Sequence, residues 1–309
     1  MKAVVTGGAG FIGSNLAAKL LSEGMDVIVI DNFSTGSQEM ADILAERGAE
    51  IIRGNSSEII NVRGVDVIFH LGMPSSSPMY KENPSLLSEV IRDAVQVLEY
   101  ARKQGIRIVY ASTSSLYNGH DPPHREDMAV FPTDFYTEAR YWLERLAKVY
   151  YDLYGVKSIG LRLFSVYGPN ERPKGRFANV ASQMVWAALK GEPFIIYGDG
   201  TQTRDFIYVT DVVNAFELAF RSEIEYGIYN VGTGIETSFN ELASRISKVL
   251  GQELKLKYRE NPIKNYVYRT QADITRARKE LSFEPKVSLE EGLKSIVSAY
   301  REDRTRLAY

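Results

Sequence analysis

The sequence predicts an α/β protein with a doubly wound parallel sheet and a smaller C-terminal α+β lobe. The first observation is a series of short β-rich runs: KAVVT at residue 2, DVIVID at 26, AEIIRG at 49, VDVIFHL at 65, IRIVYAS at 106 and VKSIGLRLF at 156. Nearly continuous apolar runs that alternate with helices are typical of parallel strands covered on both faces. The second observation is that loops rich in Gly and Pro replace this alternation beyond about residue 165. We therefore expect two domains, 1–165 and 166–309, with some chain crossing back to the first.

Helical stretches lie between most of the predicted strands. In the first domain we expect helices from Ile12 to Ser22 and from Pro84 to Lys103. In the second lobe we expect helices around 178–190, 210–221, 238–250 and 288–302. The last residues, REDRTRLAY, are expected to form a solvated helix end.

Composition and charge restrict the class of partner. A net charge of -2, with 44% hydrophobic and 25% charged residues, describes a globular protein without a basic field that would attract nucleic acid. No Cys and only three His are present, which excludes disulfides and thiolate chemistry and disfavours a metal site. No apolar stretch reaches the roughly 18 residues that a membrane helix needs, and MKAVVTGG is typical of a first strand. We expect a cytoplasmic protein with small-molecule partners and no membrane or nucleic-acid partner.

The loop after the first predicted strand carries a dinucleotide-binding fingerprint. In VVTGGAGFIGSNLAAKLL, Gly8, Gly10 and Gly13 fit the pattern G-x-G-x-x-G between a strand and a helix. Small residues allow the tight turn of a Rossmann loop and let backbone N–H groups approach a pyrophosphate. Asp31 closes the second strand, where a carboxylate can accept hydrogen bonds from a ribose, and no Arg follows it directly, which favours NAD over NADP. The alternative is a glycine-rich turn without a ligand.

Hydroxyl side chains cluster at the end of the strand that begins at residue 106. IRIVYASTSSLY brings Ser112, Thr113, Ser114 and Ser115 to the carboxyl edge of the sheet, where open α/β sheets bind their ligands. The alternative for each residue alone is turn and cap chemistry. Tyr136 follows at the start of the next helix.

The spacing between Tyr136 and Arg140 carries no information by itself. The chain contains 19 Tyr and 37 Lys plus Arg, from which about two Tyr-x-x-x-[Lys/Arg] pairs arise by chance. It contains three: Tyr136/Arg140, Tyr141/Arg145 and Tyr300/Arg304. Only the context of each pair can decide whether it has a function.

Motifs along nearly the whole chain resemble those of the extended short-chain dehydrogenase/reductase superfamily, specifically its nucleotide-sugar epimerases and dehydratases. The resemblance is carried by TGGAGFIG, DNFSTG, HLGMPSSSP, YASTSSLY, FYTEAR, LRLFSVYGP, YGDGTQTRDFIYVTDV, YNVGTG and EPKVSLEEGL. By this resemblance Tyr136 is the catalytic acid/base, Thr113 holds the sugar oxygen, and Arg140 stands where the family has Lys. The resemblance is strongest to the 4-epimerases of UDP-glucose and UDP-galactose.

The resemblance also implies a set of ligand contacts. It implies that NAD is bound through Gly7, Gly10, Phe11, Ile12, Gly13, Asp31, Asn32, Ser34, Gly36, Asn55, Leu71, Gly72, Met73, Ser112, Tyr136 and Arg140. It implies that a UDP-hexose or another nucleotide sugar contacts Ser75, Thr113, Ser114, Ser165, Arg204 and Arg269. The two arginines suit a diphosphate, and the alternative for each is a surface ion pair.

The implied reaction is inversion at C4 of the sugar. Tyr136, as phenolate, removes the C4 hydroxyl proton while hydride passes to NAD, and the 4-keto sugar is then reduced on its other face. A free tyrosine phenol has a pKa of about 10, so the mechanism requires a nearby cation. Dehydratases and decarboxylases of the family carry carboxylates after the catalytic Thr, whereas Thr113 is followed by Ser114 and Ser115. This favours a simple 4-epimerase, although HLGMPSSSPMYKENP resembles a decarboxylase loop.

Four positions depart from the family pattern. Asn55 replaces an Asp that meets adenine, Ser165 replaces an Asn at the substrate, VIRDAVQVLE replaces an Asn-x-x-Gly-Thr motif, and Arg140 replaces Lys. Arg keeps the positive charge but replaces a compact ammonium with a planar fork. We therefore keep three alternatives: a 4-epimerase, another nucleotide-sugar modifier such as a decarboxylase or reductase, and a weakly catalytic binding protein.

Two predicted helices, around 84–104 and 138–154, carry apolar stripes. By resemblance to the family, these helices form the interface of a homodimer. The alternative is that both stripes are buried in the core of one chain.

Overall fold

A computed structural model describes residues 1–302, 307 and 309. The strands are β1 (Lys2–Thr6), β2 (Asp26–Asp31), β3 (Glu50–Arg53), β4 (Val67–His70), β5 (Arg107–Thr113), β6 (Ser158–Leu163), β7 (Ser165–Tyr167), β8 (Phe194–Tyr197), β9 (Thr203–Arg204), β10 (Phe206–Tyr208), β11 (Tyr226–Val231), β12 (Thr237–Ser238) and β13 (Leu256–Arg259). The helices are α1 (Phe11–Ser22), α2 (Gln38–Glu46), α3 (Ser77–Glu82), α4 (Leu86–Gln104), α5 (Phe135–Tyr154), α6 (Val180–Lys190), α7 (Val209–Arg221), α8 (Phe239–Leu250), α9 (Thr275–Leu281) and α10 (Leu289–Arg301). Shorter 3-10 turns lie at Ser56–Asn61, Ser114–Tyr117 and Arg172–Phe177.

Seven strands form one parallel sheet in the order β11-β6-β5-β4-β1-β2-β3. The strand order reverses between β1 and β4, so the chain leaves these neighbouring strands in opposite directions. Such a switch point opens a crevice beyond the carboxyl ends of the strands. The predicted doubly wound fold is confirmed, and all six predicted strands are present.

Helices cover both faces of this sheet. On one face, α1, α2, α7 and α9 bury apolar side chains such as Leu16, Leu44 and Phe216 against the strands. On the other face, α4 and α5 do the same with residues such as Val97, Leu98 and Leu143. Because both faces are covered, the central strands are apolar along almost their whole length.

The local sequence determines where the helices near the cleft begin and end. Asp134 accepts the backbone N–H of Thr137, and the Thr137 side chain accepts the N–H of Asp134, which forms a capping box. This cap places Tyr136 in the first turn of α5. The helix that we expected to start at Pro84 starts at Leu86, because Asn83–Ser85 forms a turn whose carbonyls accept from Leu86 and Leu87.

The smaller lobe contains α6, α8 and α10 around a separate apolar core. Three two-stranded pairs accompany them: β7 with β10, β8 with β13 and β9 with β12. The chain returns to the main sheet at β11, which pairs with β6. The division at residue 165 stays a prediction, because the seventh strand of the first domain lies after it.

The predicted helix end of REDRTRLAY lies partly outside the described residues, because 303–306 and 308 are not described, and Arg304 of the third Tyr/Arg pair is among them. The helix itself ends at Arg301. None of the helices in the described ranges has the length and apolar character needed to cross a bilayer.

Candidate active site

The glycine loop between β1 and α1 has the geometry of a dinucleotide cradle. A Cβ atom on Gly13 would lie 2.1 Å from the carbonyl oxygen of Gly7. Gly7 has φ +68, and a Cβ atom on it would lie 2.8 Å from the backbone of Gly72. Helix α1 begins after Gly10, and no described side chain caps this terminus. The first backbone N–H groups of α1 can therefore bind an anionic group.

A cleft of about 480 Å³ opens at the carboxyl edge of the sheet, between the two lobes. Most of the residues predicted to contact NAD or the sugar line this single cleft: Gly7, Gly10, Phe11, Ile12, Gly13, Asp31, Asn32, Ser34, Asn55, Leu71, Gly72, Met73, Ser75, Ser112, Thr113, Ser114, Tyr136, Arg140, Ser165 and Arg204. Two predicted residues, Gly36 and Arg269, lie outside the lining.

Asp31 stands at the end of β2, beside the glycine loop. Its carboxylate accepts the backbone N–H groups of Ala9 at 2.9 Å and Phe33 at 2.8 Å. Burial raises the pKa of Asp31, and these hydrogen bonds oppose the rise. A Cβ on Gly36 would lie 2.8 Å from the same carboxylate, so Gly36 acts by letting its backbone approach Asp31. The arrangement fits the ribose of a dinucleotide.

The cleft is also lined by Asn55, at the position where the family resemblance implies an Asp. Its Oδ1 accepts the Nδ2–H of Asn32 at 2.8 Å. Asp93, on α4, also lines this cleft; its Oδ1 accepts no hydrogen bond from the described residues and lies 3.8 Å from Nε of Arg92. Burial raises the pKa of Asp93.

Thr113, Tyr136 and Arg140 all line the cleft. Thr113 ends β5, and its Oγ1 accepts the N–H of Ser115 at 3.2 Å. Tyr136 lies in the first turn of α5, and Arg140 lies one turn further along the same face. The Arg140 guanidinium carbon is 5.3 Å from the centroid of the Tyr136 ring.

The Arg140 guanidinium contacts neutral groups of its own chain. It donates to the carbonyl oxygen of Pro74 at 2.9 Å, to Sδ of Met73 at 2.9 Å and to the carbonyl oxygen of Ala111 at 3.4 Å. Its Nε has no partner among the described residues. The buried charge of Arg140 is therefore not matched by a carboxylate.

Two buried rings next to Arg140 titrate far from their ordinary ranges. Burial, followed by the charge of Arg140, lowers the pKa of His70 to about 3. The Nδ1 of His70 is hydrogen-bonded to Thr6, so His70 is a neutral structural residue behind the glycine loop. Burial raises the pKa of Tyr80 to about 12, although Arg140 opposes the rise. Neither ring can exchange protons with a substrate near neutral pH.

Ser112 belongs to a buried polar cluster, which we call the Glu144 cluster: Ser112, Tyr117, Glu144, Arg162 and Asn230. Ser112 and Arg162 face each other across β5 and β6, and both donate to the Glu144 carboxylate, at 2.5 Å and at 2.9 and 2.7 Å respectively. Arg162 also donates to the Tyr117 hydroxyl, which donates to Asn230. The cluster joins α5, β5, β6 and β11 directly behind Thr113.

Ser165, at the boundary between the two predicted domains, also lines the cleft, and the second lobe contributes Arg204 and two residues that the sequence did not single out, Lys174 and Asn179. Asn179 donates to Ser165 Oγ at 3.1 Å. The stretch NERPKGRFANV has no periodic pattern. Its position after the strand-end motif LRLFSVYGP, at the predicted ligand edge, was the one signal that could have pointed to these residues.

The two predicted phosphate-binding arginines differ in position. Arg204 lines the cleft between the rings of Phe239 and Tyr266, at 5.4 and 5.5 Å from their centroids. Burial lowers the pKa of Arg204. Arg269 is 53% exposed in its side chain and forms an ion pair with Glu236 at 2.7 Å.

A parallel sheet with a glycine loop at its switch point and an acidic residue ending β2 defines a dinucleotide-binding protein of the Rossmann class. The model of the "NAD dependent epimerase/dehydratase family" matches residues 3–232. The chain belongs to this family, whose members act on nucleotide sugars, and the predicted resemblance and NAD cofactor are confirmed.

Individual relatives include more than one kind of enzyme. The chain is 37% identical over 300 residues to a putative UDP-glucose 4-epimerase of Methanocaldococcus jannaschii, which covers 96% of this chain and 97% of that protein. It is 35% identical over 312 residues to UDP-glucuronic acid decarboxylase 1 of Arabidopsis thaliana, covering 97% of this chain and 70% of that protein. The crystal structure of UDP-glucose 4-epimerase from Thermotoga maritima with UDP-glucose matches with a TM-score of 0.91 at 32% identity, over 98% of this chain and 99% of that one.

Proposed function

We propose that this protein is an NAD-dependent nucleotide-sugar 4-epimerase that interconverts UDP-glucose and UDP-galactose, or their N-acetyl forms. The observation that carries the proposal is that Tyr136 and Thr113 line one cleft with the glycine loop, while Ser114 and Ser115 follow Thr113. Inversion at C4 needs one acid/base beside a hydride carrier. Loss of water or CO2 needs further proton-transfer groups, for which this segment has no carboxylate.

The proposed roles of the side chains follow from their chemistry. Tyr136, as phenolate, takes the proton of the C4 hydroxyl, and Thr113 donates a hydrogen bond to the same oxygen. NAD, when bound, supplies the hydride acceptor and then the hydride donor. The Tyr136 hydroxyl returns its proton to the C4 oxygen when the hydride comes back on the opposite face of the sugar. Arg140 stabilises the phenolate because its positive charge lies close to the ring.

We propose that Arg204 binds the diphosphate of the nucleotide sugar. Its guanidinium is held by the Thr203 carbonyl at 2.7 Å and by two flanking rings, which fixes its orientation toward the cleft. Ser75, Ser114 and Ser165 line the same cleft and supply hydroxyls for the sugar. A contact from Arg269 would require it to leave Glu236.

We also propose a homodimer, as the resemblance to the family implies. Both α4 and α5 bury one stripe against the sheet. In addition, α5 presents Val149, Leu153 and Tyr154 to solvent, and Leu153 is 66% exposed. An exposed apolar row of this kind is a candidate for contact with a second copy. The cytoplasmic location stays a prediction.

The function is tested by incubating the purified protein with UDP-galactose and following the appearance of UDP-glucose. We expect conversion toward the same final mixture from either sugar. Tyr136→Phe, which removes the hydroxyl but keeps the ring, is the matched control and should abolish turnover while NAD remains bound. Absence of conversion for both the hexoses and their N-acetyl forms would contradict the proposal.

A second candidate is a decarboxylase of nucleotide-sugar uronic acids. It is favoured by the 35% identity to UDP-glucuronic acid decarboxylase 1, over almost the whole of this chain. The same assay with UDP-glucuronic acid separates the two functions. Release of CO2 without epimerisation of UDP-galactose would replace the first proposal with the second, and binding without either reaction would indicate a non-catalytic protein.

A further inference from the structure

Lys174 brings an ammonium group from the second lobe to the glycine loop. It lies in the turn Arg172–Phe177, directly before Gly175, whose φ of +52 bends the chain sharply. Its Nζ is 5.5 Å from the centroid of the Phe11 ring, and Phe11 is the first residue of α1. The Lys174 side chain is only 16% exposed. A cation is thus held at the cleft, largely withdrawn from bulk water.

The ammonium of Lys174 has more hydrogen-bond donors than it uses within the described part of the chain. One of its three N–H donors reaches Oε1 of Glu171 at 3.1 Å. Across residues 1–302, 307 and 309, no other hydrogen bond of Nζ is found. Two donors remain for a ligand that enters the cleft.

Glu171 acts as the anchor of this segment. Its carboxylate is fully buried and also accepts the N–H of Asn179 at 3.1 Å and the hydroxyl of Ser182 at 2.6 Å. The carboxylate is therefore held by the lobe itself, with Lys174 as one of three partners. Neutralising Glu171 does not explain why the Lys174 ammonium also lies over Phe11 in the cleft.

The cleft has three cationic side chains among its described lining residues: Arg140, Lys174 and Arg204. Arg140 donates to Met73 and Pro74, in the loop that follows β4. Arg204 lies beside Phe239 and Tyr266 of the second lobe. Of these three cations, Lys174 lies over Phe11, the residue that directly follows Gly10 at the start of α1, where a dinucleotide places its diphosphate.

We propose that Lys174 binds the diphosphate of NAD and thereby links the second lobe to the cofactor held by the first. The inference rests on the proposed placement of NAD at the glycine loop. A charge-assisted hydrogen bond to a phosphate oxygen is stronger than one between neutral groups, and it strengthens further when water is partly excluded. The contact retains NAD between turnovers and holds the two lobes together across it.

The test is calorimetric binding to nucleotide-free protein, with ADP-ribose, adenosine and UDP as separate probes. Lys174→Met should weaken ADP-ribose binding about 10- to 100-fold, as expected for loss of a charged hydrogen bond, and leave adenosine and UDP unchanged. Lys174→Arg keeps the charge and should bind ADP-ribose within about threefold of the parent. Raising the salt concentration should weaken ADP-ribose binding less in Lys174→Met than in the parent.

Two control variants separate this role from a structural one. Arg176→Met removes a positive charge from the same turn, where the Arg176 side chain is 72% exposed and paired with Glu82, and should not change ADP-ribose affinity. Glu171→Gln removes the negative charge beside the Lys174 ammonium and should keep or raise the affinity for ADP-ribose. The proposal is overturned if Lys174→Met weakens UDP instead of ADP-ribose, or if it weakens neither. A parent protein that binds ADP-ribose but converts no nucleotide sugar would contradict the proposed reaction alone.

Discussion

Two arginines of this protein are equally buried, at 4% exposure each, but have opposite surroundings. Arg162 lies behind the sheet edge and makes a bidentate ion pair with Glu144. Arg140 lies at the cleft, where carbonyl oxygens and a thioether are its partners and its Nε has no partner in the described part of the chain. Withdrawing a guanidinium from water is unfavourable unless a partner compensates. Glu144 supplies a charged partner for Arg162, whereas no carboxylate of the described residues pairs with Arg140.

The pKa of Arg162 reflects this pairing. Burial alone would lower it, but the hydrogen bonds and charge of Glu144 more than reverse the effect, so the pKa of Arg162 is raised. A cation matched by the carboxylate of its own protein has a structural role. A cation left beside Tyr136 is available for an anion that forms during a reaction, such as the proposed phenolate. We therefore expect mutation of Glu144 to change stability and mutation of Arg140 to change turnover.

The largest expected effect is on stability, from Glu144→Leu. Removing one partner of a buried ion pair leaves the other charge uncompensated, which costs about 3–5 kcal/mol. We expect the free energy of unfolding, measured in urea, to fall by that amount.

The control for this prediction is the double variant Glu144→Leu/Arg162→Met. It removes both charges and should recover most of the lost stability, because apolar residues of similar volume often replace a buried ion pair without loss. A cost below about 1 kcal/mol for Glu144→Leu alone would show that the pair is not structural.

The second prediction concerns Arg140→Met, which should lower turnover and leave stability intact. No carboxylate within residues 1–302, 307 and 309 pairs with Arg140, so replacing this arginine with an apolar side chain removes a desolvation cost. The Pro74 carbonyl keeps the Tyr80 hydroxyl as a donor. We expect an unchanged or higher free energy of unfolding, and a kcat about 10²–10³-fold lower in the UDP-galactose assay. Instability equal to that of Glu144→Leu would contradict the proposed difference between the two sites.

A smaller effect is expected from Arg140→Lys. The ammonium keeps the positive charge near Tyr136 but loses the planar fork that reaches Pro74 and Met73 together. We expect kcat to stay within about tenfold of the parent, that is, within about 1.4 kcal/mol. A loss as large as that of Arg140→Met would mean that the geometry of the guanidinium matters and its charge alone does not suffice.

The sequence predicted those parts of the site that depend on local patterns. Apolar runs defined the strands, the glycine spacing defined the cradle, and the predicted helix start placed Tyr136 in the first turn of α5. These features are set by neighbouring residues. The pairing of Glu144 with Arg162 depends on the register between α5 and β6, and two contacts of Arg140, with Met73 and Pro74, come from a loop that is distant in the sequence. No local pattern encodes such distances, so both arrangements could only be read from the fold.

Lys174 and Arg269 also show that local sequence patterns do not determine which side chains line the cleft. Lys174 lies in a stretch without a pattern, yet it lines the cleft. Arg269 follows a family motif, yet its side chain is paired with Glu236 outside the cleft lining. A motif predicts where the backbone runs, whereas the choice of partner depends on which charges the second lobe brings nearby.

The smallest expected effect is that of Arg269→Gln, compared with Arg204→Gln. Arg269 is more than half exposed, and an exposed ion pair contributes about 1 kcal/mol or less. We expect Arg269→Gln to leave the unfolding free energy within that limit and UDP affinity within about threefold. Arg204→Gln removes a cation that lines the cleft and should weaken UDP binding about tenfold or more, as measured by calorimetry. If Arg269→Gln weakens UDP binding as much as Arg204→Gln does, Arg269 must leave Glu236 when the nucleotide binds, and the ion pair seen here is a resting arrangement of a phosphate-binding residue.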